Sequence, residues 1–356
     1  MRSLIYVATA MIAATLAAMP AAHSAADTRP NIVILATGGT IAGSGSGGHG
    51  YTSGQFKVDD LIAAVPGIDK LAKLRGEQIA NIGSQDMNDQ VWLQLAKRAN
   101  QLLARNDVDG IVITHGTDTM EETAYFLDLV VKSDKPVVLV GSMRPATAIG
   151  ADGPANLYDA VEVAASPKAK GRGVLVVMDD TVNNARDVTK TNTTSLGTMK
   201  SPDRGPAGLA IESTGVRWFE PTDKRHTTQS EFSSADLATL PRVDIIYAHA
   251  NMDASLIEDA IKGGAKGLVI AGVGDGNMSK AALDALATAA KQGIVVVRST
   301  RVPTGVVLRN SEVDDDQLGL VASGELNPAK SRVLLQLALT RPRHDAAEVQ
   351  RMFTQY

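Results

Sequence analysis

The sequence contains no cysteine among its 356 residues. This absence excludes a disulfide scaffold, a thiolate zinc site, a cysteine nucleophile and iron–sulfur ligation. Histidine is also scarce, with six in the chain, so a structural metal site is not expected. Basic residues show no excess, since 35 lysines and arginines stand against 39 aspartates and glutamates, and such a balance gives no field that attracts nucleic acid or anionic lipid. Any chemistry must therefore use hydroxyls, carboxylates, amines and the backbone.

The rest of the composition is typical of a globular protein. Hydrophobic residues make up 44% of the chain and charged residues 21%, which is too apolar for a disordered protein. At roughly 150 residues per domain, the length predicts about two domains with ample material for a core.

The first 25 residues have the pattern of a secretory signal peptide. Arg2 is the only charged residue before Asp27, and a short apolar run between them is followed by small residues. The alternative is a membrane anchor, but the apolar run is shorter than the ~20 residues that span a bilayer. We expect cleavage between Ser24 and Ala26, an exported mature protein, and no attachment to the membrane afterwards.

Short β-branched runs alternate with longer amphipathic stretches along the mature chain. Helical spacing of apolar residues predicts helices over Asn88–Ala104, over Met120–Val131 and around Leu283–Ala290. Alternation of this kind predicts an α/β fold, with a mainly parallel sheet covered by helices on both faces. The predicted strands are Asn31–Ala36, Gly110–Thr114, Pro136–Val140, Gly173–Val177, Asp244–Tyr247, Gly267–Ala271 and Ile294–Val297.

The alternation stops in a polar stretch from residue 220 to residue 241, which is typical of an interdomain linker. We therefore expect a larger N-terminal α/β domain over residues 28–219 and a smaller C-terminal α/β domain over residues 242–356. No repeat of fixed period is apparent in the sequence.

The first predicted strand runs into Thr37-Gly38-Gly39-Thr40-Ile41-Ala42. Ligand sites of open α/β sheets lie beyond the carboxyl ends of the strands, where glycines let backbone N–H groups face a ligand. Thr40 would sit on a tight turn there, although a threonine hydroxyl is a weak nucleophile unless a base takes its proton. Taken alone, this turn is more typical of a structural strand–helix connection than of a catalytic turn. The glycine spacing of a dinucleotide site and the Gly-Lys-Ser/Thr of a phosphate loop are both missing.

A second strand runs into Thr114-His115-Gly116-Thr117-Asp118-Thr119, followed by Glu121 and Glu122. One interpretation is structural: Thr117 or Thr119 caps the next helix, and the two glutamates complement its dipole. That interpretation does not explain why two threonines bracket an aspartate after His-Gly.

Together, the segments Thr37–Ala42 and His115–Met120 resemble the two signatures of the bacterial L-asparaginase family, and the exported, type II branch is the most similar. The resemblance extends from about Asn31 to Tyr356. It includes further blocks in family order, namely Asn81–Met87, Val140–Pro145, Arg186–Thr193 and Arg301–Gly305.

This resemblance implies a set of catalytic residues. Thr40 would be the nucleophile that attacks the side-chain amide and forms an acyl-enzyme with loss of ammonia. Thr117, Asp118 and Lys190 would form a second group, in which a carboxylate and an amine hold a hydroxyl. Lys190 cannot act as a base while it is fully protonated, and the sequence does not decide whether it or Tyr51 takes the first proton. Tyr51 would belong to a glycine-rich lid over the nucleophile.

The resemblance also implies substrate-binding residues. Ser84 would bind the α-carboxylate of an amino acid, and Asp118 with the carbonyl of Gln85 would bind the α-ammonium. Asn277 and Glu312 would reach the site of a neighbouring subunit in a homotetramer built as a dimer of dimers. Family members with strong glutaminase activity tend to have serine at the position of Asn277, which favours asparagine here.

The sequence therefore predicts a periplasmic L-asparaginase that needs no metal and no cofactor and has a side activity on L-glutamine. One alternative is a glutaminase-asparaginase of broad specificity. Another, from a different class, is an exported amino-acid-binding protein without turnover, in which Thr37–Ala42 would be only a ligand-binding turn.

Overall fold

A computed structural model describes residues 27–45, 52, 54–211 and 214–356. Strands overlap all the segments that the sequence predicts, with ends shifted by up to three residues, and others occur outside those segments. They are β1 (Asn31–Gly38), β2 (Lys73–Ile82), β3 (Gly110–Thr114), β4 (Val137–Val140), β5 (Val174–Met178), β6 (Thr181–Asn184), β7 (Thr189–Lys190), β8 (Met199–Lys200), β9 (Gly208–Ile211), β10 (Gly215–Trp218), β11 (Val243–Tyr247), β12 (Gly267–Gly272), β13 (Val295–Thr300) and β14 (Leu320–Ala322).

The three predicted helices are present, each ending within a few residues of its expected boundary. The helices are α1 (Val58–Ala63), α2 (Ile68–Leu71), α3 (Asp89–Leu103), α4 (Met120–Val130), α5 (Gly153–Ala165), α6 (Ser255–Lys262), α7 (Lys280–Lys291), α8 (Asp315–Leu318), α9 (Pro328–Ala338) and α10 (Ala346–Gln355). Among the described residues, none of the helices combines the length and apolar character that crossing a bilayer requires.

The strands form one large and one small sheet, as the α/β interpretation predicts. The large sheet has the order β10-β9-β6-β5-β4-β3-β1-β2. It is parallel from β2 to β5 and antiparallel from β5 to β10. The small sheet, β11-β12-β13-β14, is parallel throughout. Two further strands, β7 and β8, form a separate antiparallel pair.

The central parallel strands β1, β3, β4 and β5 are buried on both faces, which explains their continuous apolar sequences. Alternate residues of β1 point into different cores: Val33 and Leu35 pack with α3 and α4, whereas Ile32 and Ile34 pack with α5. The first of these cores continues into α9, α10 and the small sheet. One apolar cluster therefore joins both halves of the chain.

The polar stretch over residues 220–241 contains two single-turn 3₁₀ segments, Thr227–Gln229 and Ser234–Asp236, between its irregular parts. It is nevertheless packed, since the buried ring of Phe232 lies against the C-terminal Tyr356 with ring centroids 5.2 Å apart. This contact holds the segment that connects the two sheets against the end of α10.

Candidate active site

Thr40 follows β1 at the start of a short 3₁₀ turn, Thr40–Ala42, and its side chain is only 8% exposed. Two glycines shape the turn: Gly38 has φ 107° and Gly39 has φ 82°, a region of backbone space that disfavours other residues. A Cβ on Gly38 would also lie 2.4 Å from the carbonyl oxygen of Ile82. The glycines of the first motif therefore allow the chain to turn sharply beside β2.

The turn after β1 packs directly against the turn after β3. A Cβ on Gly39 would lie 2.3 Å from the backbone nitrogen of Gly116, so the two turns can approach only because both residues are glycine. The Thr37 hydroxyl, which donates to the carbonyl oxygen of Thr114 at 2.9 Å, adds a second connection between them. The two motifs, 77 positions apart in sequence, thus form one site at the carboxyl edge of the sheet.

A hydroxyl, a carboxylate and an amine meet at the second turn. The Lys190 ammonium donates to Thr117 Oγ1 at 2.8 Å and to Asp118 Oδ1 at 2.7 Å. Thr117 is buried, the Lys190 side chain is largely buried, and the Asp118 carboxylate is about half exposed. The structure therefore brings together the three residues that the sequence analysis groups, and the Asp118 carboxylate is the one exposed to solvent.

Lys190 reaches this position from the β7–β8 pair rather than from the large sheet. Its backbone N–H donates to Glu121 Oε2 at 3.2 Å. Glu121 lies in the first turn of α4, where a carboxylate is stabilised by the helix dipole. The side chain and backbone of Lys190 are thus both tied to the segment that begins α4.

Ser84 belongs to a 3₁₀ turn, Ser84–Asp86, after β2. Its hydroxyl accepts a hydrogen bond from the Asp118 backbone at 3.1 Å, and its carbonyl accepts one from the Thr119 hydroxyl at 2.7 Å. The capping interpretation is therefore wrong for Thr119: this residue occupies the N-cap position of α4, but its side chain makes no capping hydrogen bond because it is directed to the neighbouring turn.

Three other predicted residues are not joined to this cluster. The exposed Gln85 side chain donates to the adjacent Asp86 at 3.2 Å. Asn277, in the turn after β12, and the exposed Glu312, in the loop before α8, lie in the half built on the small sheet. Within the described ranges, neither side chain is hydrogen-bonded to Thr117, Asp118 or Lys190. Tyr51 lies outside the residues that the structure describes.

The histidine of the second motif lies in the interior of the protein and has a structural role. His115 is fully buried, and burial lowers its pKa to about 4. Its Nδ1 lies 2.7 Å from the carbonyl oxygen of Gly116, an acceptor, so Nδ1 carries the proton. Its Nε2 then accepts from the Thr123 hydroxyl at 2.9 Å, which in turn accepts from the Trp92 indole at 2.8 Å. The neutral imidazole therefore fixes the peptide of Gly116, a role that the motif alone did not indicate.

The arrangement is suited to chemistry that uses a hydroxyl nucleophile. A buried threonine hydroxyl lies on one glycine turn, and the turn packed against it carries a second hydroxyl that is hydrogen-bonded to an amine. Proton transfer to and from a nucleophile requires groups of these kinds at one site. In the described part of the chain, no cluster of three or more histidines and carboxylates has the geometry of a metal site.

Comparison with known proteins gives matches over almost the whole described chain. A model of the N-terminal domain of asparaginase matches residues 31–224, and a model of the glutaminase/asparaginase C-terminal domain matches residues 242–353. L-asparaginase 2 of Escherichia coli is 54% identical over 92% of this chain and 93% of its own. A probable periplasmic L-asparaginase of Haemophilus influenzae is 55% identical with the same coverage.

A glutaminase-asparaginase of Pseudomonas fluorescens is 46% identical over 92% of this chain and 90% of its own. The two domain models match the chain in the order in which the large and the small sheet occur along it. Identities of this size over 92% of the chain include residues of the scaffold as well as those of the motifs. The chain therefore belongs to the asparaginase family.

Proposed function

We propose that this protein hydrolyses L-asparagine to L-aspartate and ammonia through a threonine acyl-enzyme. The family supports the reaction, and relatives named L-asparaginase match over nearly their whole length. The observation that carries the proposal is the contact of Lys190 with Thr117 and Asp118, on a turn that packs through Gly39 and Gly116 against the turn bearing Thr40.

In the proposed reaction, Thr40 Oγ1 attacks the side-chain amide carbon while its proton passes to a nearby base. The C–N bond of the tetrahedral intermediate then breaks, the nitrogen leaves as ammonia with the transferred proton, and an ester to Thr40 remains. A water molecule attacks this ester, assisted by Thr117 and the Lys190 amine, and releases aspartate. Lys190 must share or lose its proton to act as the base, and Tyr51 is the alternative first base.

The substrate's charged ends require partners of opposite charge or hydrogen-bonding capacity. We assign its α-ammonium to the exposed Asp118 carboxylate and the Gln85 carbonyl, and its α-carboxylate to Ser84 and nearby backbone N–H groups. Asn277 and Glu312 would complete the site of a neighbouring subunit, which is compatible with the lack of a hydrogen bond from either side chain to Thr117 within the described part of one chain.

Ammonia release from L-asparagine by the purified protein tests the proposal. Thr40→Ala removes the nucleophile, so kcat should fall by more than about 1000-fold while circular dichroism is unchanged. Thr40→Ser keeps a hydroxyl at the same position and should retain measurable turnover. Near wild-type hydrolysis by the alanine variant would show that the nucleophile is another group. Binding of asparagine without ammonia release would support the amino-acid-binding alternative, which family membership does not favour.

A side activity on L-glutamine is expected, because rejecting one extra methylene is worth only ~1–3 kcal/mol. Relatives named glutaminase-asparaginase are 41–46% identical to this chain, which keeps broad specificity as a second candidate. Steady-state rates on the two amides, measured side by side, distinguish a preference for asparagine from equal use of both.

We also propose that the protein is exported to the periplasm and assembles as a homotetramer. One relative is named periplasmic, and residues 1–25 have the pattern of a signal peptide. Assembly is supported by a groove at the edge of the small sheet, where the apolar side chains of Ile245, Tyr247 and Leu256 are exposed among charged residues. Sequencing the N-terminus of the exported protein would locate the cleavage site.

A further inference from the structure

Lys330 is a charged residue in the interior of the protein. It lies in the first turn of α9, in the half built on the small sheet, and is only 2% exposed. Its ammonium donates to the carbonyl oxygen of Arg186 at 2.8 Å and to that of Val188. These acceptors are more than 140 positions away in sequence, so the lysine joins the two halves of the chain.

The carbonyls that it binds belong to the segment that leads into β7. Val188 is fully buried and lies two residues before Lys190, the amine of the candidate site. Lys330 therefore holds the backbone of the segment that carries Lys190.

A second residue at the start of α9 reaches the same region. Asn327 caps the helix through Oδ1, which accepts from the Lys330 backbone at 2.9 Å. Its Nδ2 lies 3.4 Å from Glu121 Oε1 and 3.5 Å from Thr189 Oγ1. Because Glu121 also accepts from the Lys190 backbone, the start of α9 holds β7 through two separate paths.

The buried ammonium is costly, and packing does not explain it. Burial, with a smaller contribution from Arg186, lowers the pKa of Lys330 to about 8. The carboxylates of Glu121, Asp187 and Asp128 raise this pKa but do not offset the effect of burial. An apolar side chain of similar volume would fill the space without the desolvation cost. What it could not do is bind two backbone carbonyls at once.

We propose that Lys330 is a positioning residue, which sets the place of the Lys190 amine by fixing the backbone of residues 186–188. The proposal rests on the proposed function, in which Lys190 acts on Thr117. It gives the C-terminal half a role in the site of its own chain.

Lys330→Met tests the proposal, because methionine keeps much of the volume and removes both hydrogen bonds. We expect kcat for asparagine to fall about 10- to 100-fold with KM changed less than about threefold, since a displacement near 1 Å at a reacting group has effects of this size and Ser84 is not disturbed. The control is Ser331→Ala, which removes one buried hydrogen bond of the same helix, to Leu326 at 3.1 Å. It should leave kcat within about twofold.

Hydrogen exchange measured by mass spectrometry provides a readout that does not depend on turnover. The backbone N–H groups of Val188 and Thr191 are hydrogen-bonded to Asn184 and Thr198 at 3.0 and 2.8 Å. Peptides covering residues 184–191 should exchange faster in Lys330→Met than in wild type, whereas peptides from β12 and β13 should not. Faster exchange throughout the protein, or an equal loss of kcat in Ser331→Ala, would show a general loss of stability and overturn the proposal.

Asn327→Ser provides a variant with a small folding cost, because serine is also a good N-cap but cannot reach Glu121. It should lower kcat about threefold with KM unchanged. The proposal would be overturned if Asn327→Ser had the wild-type kcat and Lys330→Met either had the wild-type kcat or failed to fold. The proposed function is tested separately, by ammonia release from asparagine in the wild-type protein and in Thr40→Ala.

Discussion

Asp128 is a buried carboxyl group in the last turns of α4, and its Oδ1 accepts from the Val174 backbone at the start of β5, at 2.7 Å. Burial, with a smaller contribution from Asp187, raises its pKa to about 7, while the Val174 N–H, Arg186 and Lys330 act in the opposite direction. The folded state therefore binds a proton at pH 5–6 that the unfolded chain has already released. By linkage, this group's contribution to stability is largest near pH 4 and is lost as the pH rises to about 7.

Asp128→Asn should remove that dependence, because the amide stays neutral and its oxygen can still accept from Val174. We expect the wild type to lose roughly 1 kcal/mol of unfolding free energy relative to the variant for each pH unit between about 4 and 7. Urea unfolding of both proteins at pH 5 and pH 7 measures the difference. The same change at the exposed Asp59 serves as the control, and a pH-independent difference for Asp128→Asn would refute the assignment.

At the residue scale, the sequence predicted which residues come together better than it predicted the contacts that hold them in place. Thr117, Asp118 and Lys190 were grouped through a resemblance, and the structure brings them within hydrogen-bonding distance. The contacts that hold them were not predicted, because they join residues without a local pattern. Lys330 looks like an ordinary helix lysine, and only the folded chain places it against Val188.

At the scale of elements, the site depends on how closely two turns approach. Gly39→Ala would place a methyl group 2.3 Å from the Gly116 nitrogen, on a residue with φ 82°. Because the atoms in the way belong to the backbone and cannot move aside as a flexible side chain can, the turn after β1 must move away from the turn after β3. We expect kcat on asparagine to fall about 100-fold or more, with a loss of stability beyond the ~1–2 kcal/mol of left-handed strain.

The matched control is Gly264→Ala, at φ 93° with nothing within 4 Å of the added Cβ. It also has a positive φ but no clash, so its stability should fall by only ~1–2 kcal/mol and its kcat should match the wild type. Measurements of ammonia release and of thermal unfolding for both variants distinguish the effect of backbone strain from the effect of the steric clash with Gly116. Equal kcat values in the two variants would mean that the spacing of the turns is unimportant.

Elements with continuous apolar sequences were predicted, whereas those at the margins of the sheet were not. The buried strands β1, β3, β4 and β5 have β-branched runs that few other structures accommodate. In contrast, β2 mixes charged and apolar residues because it is an edge strand and is buried on neither face throughout. The antiparallel strands β9 and β10 are short and contain glycine, so their place in the sheet depends on the pairing of β9 with β6 and of β10 with β9 rather than on local preference.

For the whole molecule, the two halves are joined by more than a linker. The buried Arg186 guanidinium donates to Glu325 at 2.8 Å and to the carbonyl oxygen of Tyr356 at 3.0 Å. The Tyr356 hydroxyl accepts from the Glu231 backbone at 2.8 Å. Division into two α/β parts could be predicted from the interruption of the pattern near residue 220. Their docking could not, since it depends on charged residues and a C-terminal tyrosine that have no periodic signal.

The proposed tetramer can be tested on the face formed by Ile245, Tyr247 and Leu256. Ile245 lies on β11, an edge strand of the small sheet, and is 39% exposed in the single chain. A glutamate there would bury a charge in any subunit contact formed by this face, so Ile245→Glu should dissociate the assembly. Light scattering coupled to size exclusion would show smaller species, and ammonia release would fall because each site would lose the neighbour's Asn277 and Glu312.

Ile211→Glu is the matched control, because Ile211 is 38% exposed on β9 of the other sheet. Dissociation of both variants would show that the assembly uses more than the proposed face. Dissociation of Ile245→Glu with full activity would mean that one chain holds a complete site, and the assignment of Asn277 and Glu312 to a neighbour would then be wrong. Loss of activity that returns at high protein concentration would instead tie turnover to assembly, because mass action restores the subunit contact and not a damaged fold.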